Sequence, residues 1–459
     1  MNSLRGKKIH FIGIGGSGMS GLARIAIADG IKVSGSDSKD SSVLGALEAL
    51  GAKIYRNHDG AHCEGVDVVI YSTAISPKNP ELIRAQELSI PMFRRAKALA
   101  SLMVENVAIA IAGTHGKTTT TSMATVAFQN CGADPSFAIG GTLTASGANA
   151  HRGSGKFFIA EADESDGSFT EYHPHAAIVT NIEHDHVDFF NSESDVKQAF
   201  KEFAETISAA GFLIYCNDDP GSRELGVATT HCTTVSYGVL EGSDLLIDQI
   251  ELTPGGSRAR ALWRGSVVGI IELHVPGHHN LLNAVGTLAL GLVYGLPAAD
   301  LLTGLSSFRG AGRRFELKAT VHGIRVVDDY GHHPTEIEVT LDAARRYVDS
   351  GRLIVIFQPH RYSRTEAFLD KFAVALDKAD DVTLLEIYAA SEQPIAGVSS
   401  SLIADRMQHG QFIPNFVEAT DRVIDLAAPG DLILTLGAGD VNSLAPIIAD
   451  GLRKRFESQ

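Results

Sequence analysis

Two glycine-rich turns stand between a predicted strand and a predicted helix, where a chain can bind phosphate groups. The first turn is GIGGSG, residues 13–18, and Asp37 ends the next predicted strand. Glycines let backbone N–H groups and a helix N-terminus approach a diphosphate, and an acidic residue about 20 positions later can bind a ribose hydroxyl. A dinucleotide such as NAD fits this pattern. UDP fits it equally, and a purely structural tight turn is the third alternative.

The second turn is GTHGKT, residues 113–118. Its backbone amides can surround phosphate oxygens, Lys117 can contact the terminal phosphates, and the Thr118 hydroxyl can bind Mg²⁺. Ile111 stands where the strict GxxxxGK[ST] pattern has its first glycine. The strand–turn–helix context still predicts a nucleotide-phosphate site. A chain with two such turns is expected to bind two phosphate-bearing ligands.

Carboxylates follow two predicted strands close to the second turn. The acidic residues and the histidine that end these strands are Glu161, Asp163, Glu164, Asp166, Glu183, Asp185 and His186. Carboxyl ends of parallel strands meet at one edge of a sheet, and Mg²⁺ prefers oxygen ligands. The pattern predicts a magnesium site there, with His186 as a less usual ligand. Asp166 and Glu183 could instead be solvated loop residues.

Polar clusters also occur late in the chain. GHHNLLN, residues 277–283, opens an apolar helix and suits either a purine or a helix cap. DDYGHHP, residues 328–334, and QPHRYSR, residues 358–364, each end a predicted strand. Arginine binds carboxylates in a bidentate fork, so these two loops could hold a carboxylate-bearing substrate such as an amino acid. Adjacent histidines rarely chelate one ion together, and hydrogen-bonding roles are expected for them.

The elements that position these motifs alternate between apolar, β-branched runs and helical patterns, as in parallel α/β units. Short alternating strands between about 233 and 275 predict a small antiparallel extension of the central sheet. We place boundaries near 105 and 311, giving domains 1–105, 106–311 and 312–459. The predicted fold is α/β with three domains: a Rossmann-like N-terminal domain, a central P-loop ATPase-like domain and a C-terminal Rossmann-like domain.

Composition narrows the functional classes. The 459 residues carry a net charge of −15 without a basic run, which argues against nucleic-acid binding. We find no stretch of about 18 apolar residues and no apolar leader at the N-terminus, so membrane insertion is not expected. The four cysteines form no CxxC pair, which favours reduced thiols in the cytoplasm over disulfides or a zinc site.

Taken together, the motifs resemble the Mur ligases along essentially the whole chain. EADESD, TNIEHDHVD, GHHNLLNA, FRGAGRRFE, DDYGHHPTE and FQPHRYSRT occur in the order of that family. GTHGKT is the family's own form of the phosphate turn, which accounts for Ile111. The opening HFIGIGGSGMSGLA and the last two motifs are similar to those of the alanine-adding members.

The resemblance implies an ATP-dependent ligase that forms the amide bond between UDP-N-acetylmuramate and L-alanine through an acyl phosphate, for peptidoglycan synthesis. It implies ATP and Mg²⁺ as cofactors and a monomer or weak homodimer. The alternative within the family is the ligase that recycles murein tripeptide. That enzyme usually has phenylalanine-alanine in place of Tyr330-Gly331 and lacks the HRYSR loop.

The resemblance also implies roles for individual residues. UDP-N-acetylmuramate would be bound by Gly13, Gly15, Gly16, Ser17, Gly18, Asp37 and Ser72. ATP would be bound by Gly113, Thr114, His115, Gly116, Lys117, Thr118, Thr119, His279, Asn280, Asn283, Arg314 and Asp329. The metal would be held by Thr118, Glu161 and His186. The amino acid would be bound by Tyr330, His332, His360, Arg361 and Arg364, with Lys117, His332 and Arg361 catalytic. Either His332 or a carboxylate could accept the amine's proton.

Two hypotheses from other classes account for part of the sequence. An NAD-dependent oxidoreductase explains the first turn and Asp37 but gives the GTHGKT turn no task. A nucleotide-regulated binding protein needs that turn but does not need the two polar loops of the third domain.

Overall fold

The computed structural model describes residues 4–72, 74–348 and 350–457, and the side chain of Ser17 lies outside the description. Three sheets, flanked by helices, organise these residues. The predicted fold class, three α/β domains, is confirmed. Among the described residues, we find no helix with the length and apolar character needed to span a lipid bilayer.

The first sheet has five parallel strands in the order β3-β2-β1-β4-β5. Its strands are β1 (Lys8–Ile12), β2 (Lys32–Ser36), β3 (Lys53–Tyr55), β4 (Val68–Tyr71) and β5 (Met92–Arg94). Its helices are α1 (Ser17–Ala28), α2 (Ser42–Ala49), α3 (Pro80–Glu87) and α4 (Arg95–Met103), with a 3₁₀ turn at Gly60–Cys63. The strand order reverses at β1, and ligands of α/β sheets bind at such a reversal.

The central sheet has ten strands in the order β15-β14-β13-β12-β11-β10-β6-β9-β7-β8. Its strands are β6 (Val107–Ala112), β7 (Ser136–Ala138), β8 (Ala150–His151), β9 (Phe157–Glu161), β10 (Ala176–Val179), β11 (Phe212–Cys216), β12 (Thr233–Gly238), β13 (Leu245–Thr253), β14 (Gly256–Trp263) and β15 (Ser266–Leu273). Its helices are α5 (Lys117–Asn130), α6 (Glu193–Glu205), α7 (Pro220–Ala228), α8 (His278–Val293) and α9 (Ala298–Ser307), with a 3₁₀ turn at Ser168–Glu171.

Strand β6 lies inside this sheet, and its VAIAIA sequence is buried on both faces. Full burial of one such valine or isoleucine side chain contributes about 1.5–3 kcal/mol, which explains why the strand is apolar throughout. At the edge, β13, β14 and β15 pair antiparallel. The antiparallel extension predicted from about 233 is therefore confirmed for β13–β15, whereas β12 pairs parallel with both of its neighbours.

The third sheet has six strands in the order β16-β17-β21-β18-β19-β20. Its strands are β16 (Glu316–Val321), β17 (Ile324–Asp329), β18 (Leu353–Phe357), β19 (Asp381–Leu384), β20 (Gly410–Phe412) and β21 (Leu432–Leu436). Its helices are α10 (Pro334–Val348), α11 (Tyr362–Ala367), α12 (Leu369–Leu376), α13 (Ser401–Ala404), α14 (Phe416–Leu426) and α15 (Leu444–Glu457), with a 3₁₀ turn at Asp440–Ser443. The loops after β17 and β18 face the loops that follow the central strands.

Candidate active site

The first glycine turn joins β1 to α1. The amides of Gly13 and Ile14 donate to the carbonyl oxygen of Ser36, at 2.8 and 3.0 Å, which fixes the turn to the end of β2. The amide of Gly15 donates to Asp37 Oδ2 at 2.9 Å. A Cβ on Gly15 would lie 2.9 Å from that same oxygen, so any larger residue would displace the Asp37 carboxylate. The structure therefore brings the turn and the acidic residue together.

The other residues predicted for this turn lie around it. Gly16 precedes α1, and Gly18 lies in the first turn of that helix. Ser17 begins the same helix, but its side chain is outside the described part of the protein. Ser72 follows β4, the neighbour of β1, and its hydroxyl oxygen accepts a hydrogen bond from the amide of Ala74 at 3.1 Å. Ser72 and the turn thus share one edge of the first sheet.

The second glycine turn joins β6 to α5 and is closed by its own lysine. Lys117 Nζ donates to the carbonyl oxygens of Gly113 and Thr114, at 2.7 and 3.0 Å, and lies 2.8 Å from Glu164 Oε2. Burial lowers the pKa of Lys117, but Glu164 outweighs that effect and the pKa is raised. Thr119 is buried in the following helix. The charged ammonium is therefore held over the turn, where it can exchange these partners for phosphate oxygens.

Residues at the start of α8 were predicted to lie near a purine. Asn283 reaches the phosphate turn, because a Cβ on Gly116 would lie 2.8 Å from Asn283 Oδ1. Asn280 Nδ2 instead donates to the carbonyl oxygen of Pro276 at 2.6 Å, within its own helix end. Burial lowers the pKa of His279 to about 4, so this imidazole is neutral at pH 7. The structure therefore brings Asn283 to the turn, whereas Asn280 bonds to the backbone just before its own helix.

Of the three predicted metal ligands, Thr118 and Glu161 pair with each other, and His186 pairs with Glu164. Thr118 Oγ1 donates to Glu161 Oε1 at 3.1 Å. His186 Nε2 lies 3.2 Å from Glu164 Oε1, and one ligand atom each from Asp163, Glu164 and His186 lie within 4.8 Å of one another. His186 also has a φ of 52°, a left-handed conformation that non-glycine residues rarely adopt outside constrained sites. Glu164 was not among the predicted metal ligands, but its carboxylate lies beside the His186 ring. The predicted ligand Glu161 pairs with Thr118 instead.

The loop after β17 brings together the aromatic, basic and acidic residues predicted for it. The guanidinium of Arg314 lies 4.8 Å from the centre of the Tyr330 ring. Burial raises the pKa of Asp329 to about 6, and the carboxylate accepts two backbone amides at 2.7 Å. The rings of His332 and His360 are 5.6 Å apart. Burial lowers the pKa of His332 to about 3 and that of His360 to about 4.

These loops enclose one large cavity, of about 810 Å³, between the second and third domains. The predicted residues that line it are Thr114, His115, Gly116, Lys117, Thr118, Glu161, His186, Arg314, Tyr330, His332, His360, Arg361 and Arg364. A smaller cavity of about 60 Å³ lies beside it, between Gly18 and Arg95 of the first domain and Glu161 and Asp163 of the second. The first glycine turn therefore faces the acidic edge of the central site.

Three families of protein domains match the chain in succession. The Mur ligase family, catalytic domain, matches residues 8–106. The Mur ligase middle domain matches residues 111–291, and the Mur ligase, glutamate ligase domain, matches residues 313–439. The chain belongs to the Mur ligase family.

Relatives within the Mur ligase family are similar to the chain over nearly its whole length. A UDP-N-acetylmuramate–L-alanine ligase of Acidothermus cellulolyticus is 46% identical over 457 residues, covering 98% of this chain and 96% of that protein. The enzyme of the same name from Mycobacterium marinum is 45% identical, with 98% and 96% coverage. The crystal structure of a UDP-N-acetylmuramate–alanine ligase from Thermotoga maritima superposes with a TM-score of 0.81 at 28% identity, covering 98% of this chain and 99% of that one.

A murein peptide ligase from Psychrobacter arcticus shares the fold of this Mur ligase. Its crystal structure superposes with a TM-score of 0.72 at 24% identity, covering 98% of this chain and 99% of that one. At this level of identity the likeness concerns the fold alone.

In this Mur ligase, His115 of the phosphate turn bridges the second and third domains. Its Nε2 lies 3.1 Å from Glu183 Oε2, and its Nδ1 lies 3.2 Å from Glu336 Oε1. Thr335 Oγ1 donates to Glu183 Oε1 at 2.6 Å. Burial would lower the pKa of His115, but Glu336 and Glu183 raise it to about 10. The imidazolium thus holds a carboxylate from each domain.

The two arginines of the HRYSR loop pair with central-domain carboxylates. Arg364 Nε and Nη2 donate to Asp185 Oδ1 at 3.0 and 2.8 Å, and both side chains are only 3% exposed. Arg361 pairs with Asp188 and remains 30% exposed at the cavity wall. Arg364 was predicted to bind the amino acid, but in this structure a protein carboxylate occupies its guanidinium. Arg361 is also paired with a protein carboxylate, but it is the more exposed of the two arginines.

The sequence indicates Glu164 and Asp185 only as acidic residues of a predicted magnesium site and does not single out Glu336, so the ion pairs that these three carboxylates form were missed. Glu164, Asp185 and Glu336 all lie within the motifs EADESD, TNIEHDHVD and DDYGHHPTE. Several carboxylates crowd each motif, and the backbone decides which of them points inward. The signal available in the sequence was that the motifs lie next to predicted buried strands. That signal does not distinguish one carboxylate from its neighbour.

We expect Glu336→Gln to lower kcat by about 10-fold to 100-fold, because small displacements of catalytic groups cost rates of that order. Glu336 Oε2 accepts the amides of His332 and His333 at 3.0 and 3.3 Å, besides pairing with His115. The neutral amide removes the charge that holds both loops. The measurement is steady-state release of phosphate from ATP. Glu338→Gln, an exposed change on the same helix, is the matched control, and equal rates in the two variants would contradict the expectation.

Proposed function

We propose that this Mur ligase joins L-alanine to UDP-N-acetylmuramate with cleavage of ATP to ADP and phosphate, as a step in peptidoglycan synthesis. One observation supports this most: a phosphate turn, a carboxylate cluster and the polar loops of the third domain share a single cavity. The names and the identity of the full-length relatives point to the same reaction. The recycling of murein tripeptide is not favoured, because Tyr330-Gly331 and the HRYSR loop are both present.

We assign one substrate to each proposed domain. Residues 1–105 bind UDP-N-acetylmuramate through Gly13, Gly15, Gly16, Ser17, Gly18, Asp37 and Ser72. Residues 106–311 bind ATP through Gly113, Thr114, His115, Gly116, Lys117, Thr118, Thr119, His279, Asn280 and Asn283, joined by Arg314 and Asp329 from beyond the boundary. Residues 312–459 bind the amino acid through Tyr330, His332, His360 and Arg361, with Arg364 fixing their loop. Contacts across each boundary bring the three substrates together.

A carboxylate does not form an amide with an amine directly, because its oxygen is a poor leaving group. It must therefore be activated first. The muramoyl carboxylate attacks the γ-phosphorus of ATP, the bond to ADP breaks, and an acyl phosphate forms. The L-alanine amine then attacks the acyl carbon, and the tetrahedral intermediate expels phosphate as the amide forms. Lys117 stabilises the charge on the transferring phosphoryl group, which is an electrostatic and positioning role. Enclosure between domains keeps water from the acyl phosphate.

The oxygen donors beside the phosphate turn fit Mg²⁺. The Thr118 hydroxyl and the Glu161 carboxylate are 3.1 Å apart, and His186 lies at the same edge. Carboxylate and hydroxyl oxygens are the ligands that this hard cation prefers. Thr118, Glu161 and His186 would hold the ion, which when bound would neutralise phosphate charge. The buried Glu164 completes the acidic wall.

His332 acts in its neutral form in this proposal. Burial lowers its pKa to about 3, so at pH 7 the imidazole carries no charge. A neutral imidazole can accept a hydrogen bond from the attacking amine, whereas an imidazolium would repel a protonated one. His332 therefore orients the amine through a hydrogen bond. With a pKa of about 3 it is a weak base, so the amine's proton passes as the amide forms to a stronger one, for which we propose the buried Asp329, whose pKa is raised to about 6.

We further propose that the protein works in the cytoplasm as a monomer or weak homodimer. Its four cysteines, all within the described residues, are free thiols, which suits a reducing compartment. The substrates named here are small molecules, and the net charge of −15 supports no role in nucleic-acid binding.

The proposal is tested by phosphate release from ATP with UDP-N-acetylmuramate, with and without L-alanine. Release that requires both compounds is the expected result, with the amide product identified by mass spectrometry. Turnover with murein tripeptide but not with L-alanine would replace the proposal by the recycling reaction. Phosphate release that needs neither compound would contradict the proposed ligase activity.

A further inference from the structure

A second cluster of titratable side chains lies in the first domain, away from the active site. It consists of His10 in β1, His58 in the loop after β3, His62 in the 3₁₀ turn and Glu81 at the start of α3. His10 Nε2 and His62 Nδ1 lie 3.1 and 2.8 Å from Glu81 Oε1, and His58 Nδ1 lies 2.7 Å from Glu81 Oε2. Side chains from β1 and from the segment 58–62 thus converge on one carboxylate of α3. We call these four residues the histidine cluster.

The carboxylate at the centre of the histidine cluster is fully buried and charged. Burial alone would raise the pKa of Glu81, but hydrogen bonds from His10, Ser36, His62 and His58 lower it to about 2. Within the described ranges, its ion-pair partners are these histidines, and we find no lysine or arginine among them. A buried charge requires a compensating one. Either a proton on an imidazole or a metal cation can supply it.

The rings of the histidine cluster are held in fixed orientations. His10 Nδ1 lies 2.9 Å from Ser34 Oγ, which leaves Nε2 directed at Glu81. The His62 ring stacks on Tyr55 with 3.7 Å between the ring centres. Histidines that bind metals commonly have their second nitrogen fixed in this way by a hydrogen bond. His10 is fully buried, and the His62 side chain is 11% exposed, so a path from solvent exists on the His62 side.

The spacing of the donor atoms suits a small metal ion. One ligand atom each from His10, His62 and Glu81 lie within 4.8 Å of one another. Metal–nitrogen and metal–oxygen bonds of about 2.0–2.1 Å in a tetrahedron place ligand atoms roughly 3.3 Å apart. The observed separations of 3.1 and 2.8 Å need only a small expansion. A metal would replace the protons that these atoms now share.

We propose that His10, His62 and Glu81 form a binding site for a divalent transition metal of the Zn²⁺ type. Two imidazoles and one carboxylate favour such ions over Mg²⁺, which prefers oxygen ligands. His58, on the other carboxylate oxygen, orients Glu81. The active-site cluster of Asp163, Glu164 and His186 has the opposite balance, with two carboxylates and one imidazole.

The position of the site indicates what an ion would do there. It would join β1, the 3₁₀ turn and α3 around Glu81. Ser36 Oγ donates to Glu81 Oε2 at 2.7 Å, and the carbonyl oxygen of Ser36 holds the amides of Gly13 and Ile14. Metal binding would therefore stabilise the first domain and the glycine turn above it. This inference does not depend on the proposed function.

The test uses ZnCl₂ and the full-length protein, with His186→Ala as the parent so that the active-site cluster binds less metal. Protein is dialysed against Zn²⁺, then against metal-free buffer, and the metal is counted by mass spectrometry. We expect the parent to retain about one equivalent that His62→Ser in the same background loses, since a ligand is removed. His231→Ser, at an exposed histidine, is the matched control and should retain it. Circular dichroism establishes that each variant is folded.

Two further results decide the question. Co²⁺ in the parent should give the visible absorption of four-coordinate ligation by nitrogen and oxygen, absent in His62→Ser. Ser34→Ala should weaken Zn²⁺ affinity by about 10-fold. Equal retention in the parent and His62→Ser would overturn the proposal and place any zinc elsewhere, for example at His115. Retention by neither would also overturn it.

Discussion

Lys117→Ala is expected to lower phosphate release from ATP by about 10³-fold, the size of effect seen when a preorganised charge on a transferring phosphoryl group is removed. Lys117 Nζ already lies over the phosphate turn, bonded to two of its carbonyl oxygens at 2.7 and 3.0 Å. Its raised pKa keeps it charged across the physiological range. The measurement is kcat for phosphate release in the presence of UDP-N-acetylmuramate and L-alanine.

The control for this loss must separate catalysis from folding. Glu164 is 1% exposed, so removal of Lys117 leaves a buried carboxylate with less compensation. The double variant Lys117→Met/Glu164→Gln removes both charges and should restore the thermal midpoint while remaining inactive. Lys378→Ala, at a lysine paired with carboxylates on the surface, should keep full activity. A Lys117→Ala enzyme that keeps more than about a tenth of the wild-type kcat would refute the assigned role.

The fold could be predicted from the sequence because its signals are local. Apolar runs such as VAIAIA at residues 107–112 specify buried parallel strands, and GTHGKT specifies a turn between a strand and a helix. The change to alternating residues after 233 predicted an antiparallel edge. Each of these patterns is decided within about ten residues, where backbone preference and burial act together.

The pairing of side chains in the site could not be predicted in the same way. Arg364 and Asp185 are 179 positions apart and come from different domains. His186 contacts Glu164 from a backbone with a left-handed conformation. No residue type in the motif predicts that conformation. Which carboxylate faces which cation depends on how three domains meet. Residue identities therefore indicated the loops that line the cavity, and only the tertiary arrangement showed that Arg364 is buried against Asp185 while Arg361 stays partly exposed.

Arg364→Met is expected to weaken the docking of the third domain on the second by about 3–5 kcal/mol. This is the usual cost of leaving one member of a buried ion pair without its partner. Asp185 would remain 3% exposed without its guanidinium. Hydrogen exchange should rise in α11 and in the loop after β10, and X-ray scattering should show an expanded protein. The kcat should fall with the docked population, since His360 and Arg361 lie in the same loop.

Three comparisons test whether the unpaired buried charge of Asp185 causes the loss of docking. Arg364→Met/Asp185→Asn removes the unpaired charge and should recover most of the docking. Arg422→Met, which breaks the Asp381 pair inside the third domain, should leave docking intact.

Burial would raise the pKa of Asp185, but Arg364 lowers it well below its ordinary value. The pair is therefore fully stabilising above the ordinary aspartate pKa of about 3.9 and loses its contribution as the pH falls below that value. Wild-type docking should accordingly weaken below about pH 4, and that acid sensitivity should be smaller in the double variant. If the double variant docked no better than Arg364→Met, packing of the arginine stem rather than its charge would hold the domains together.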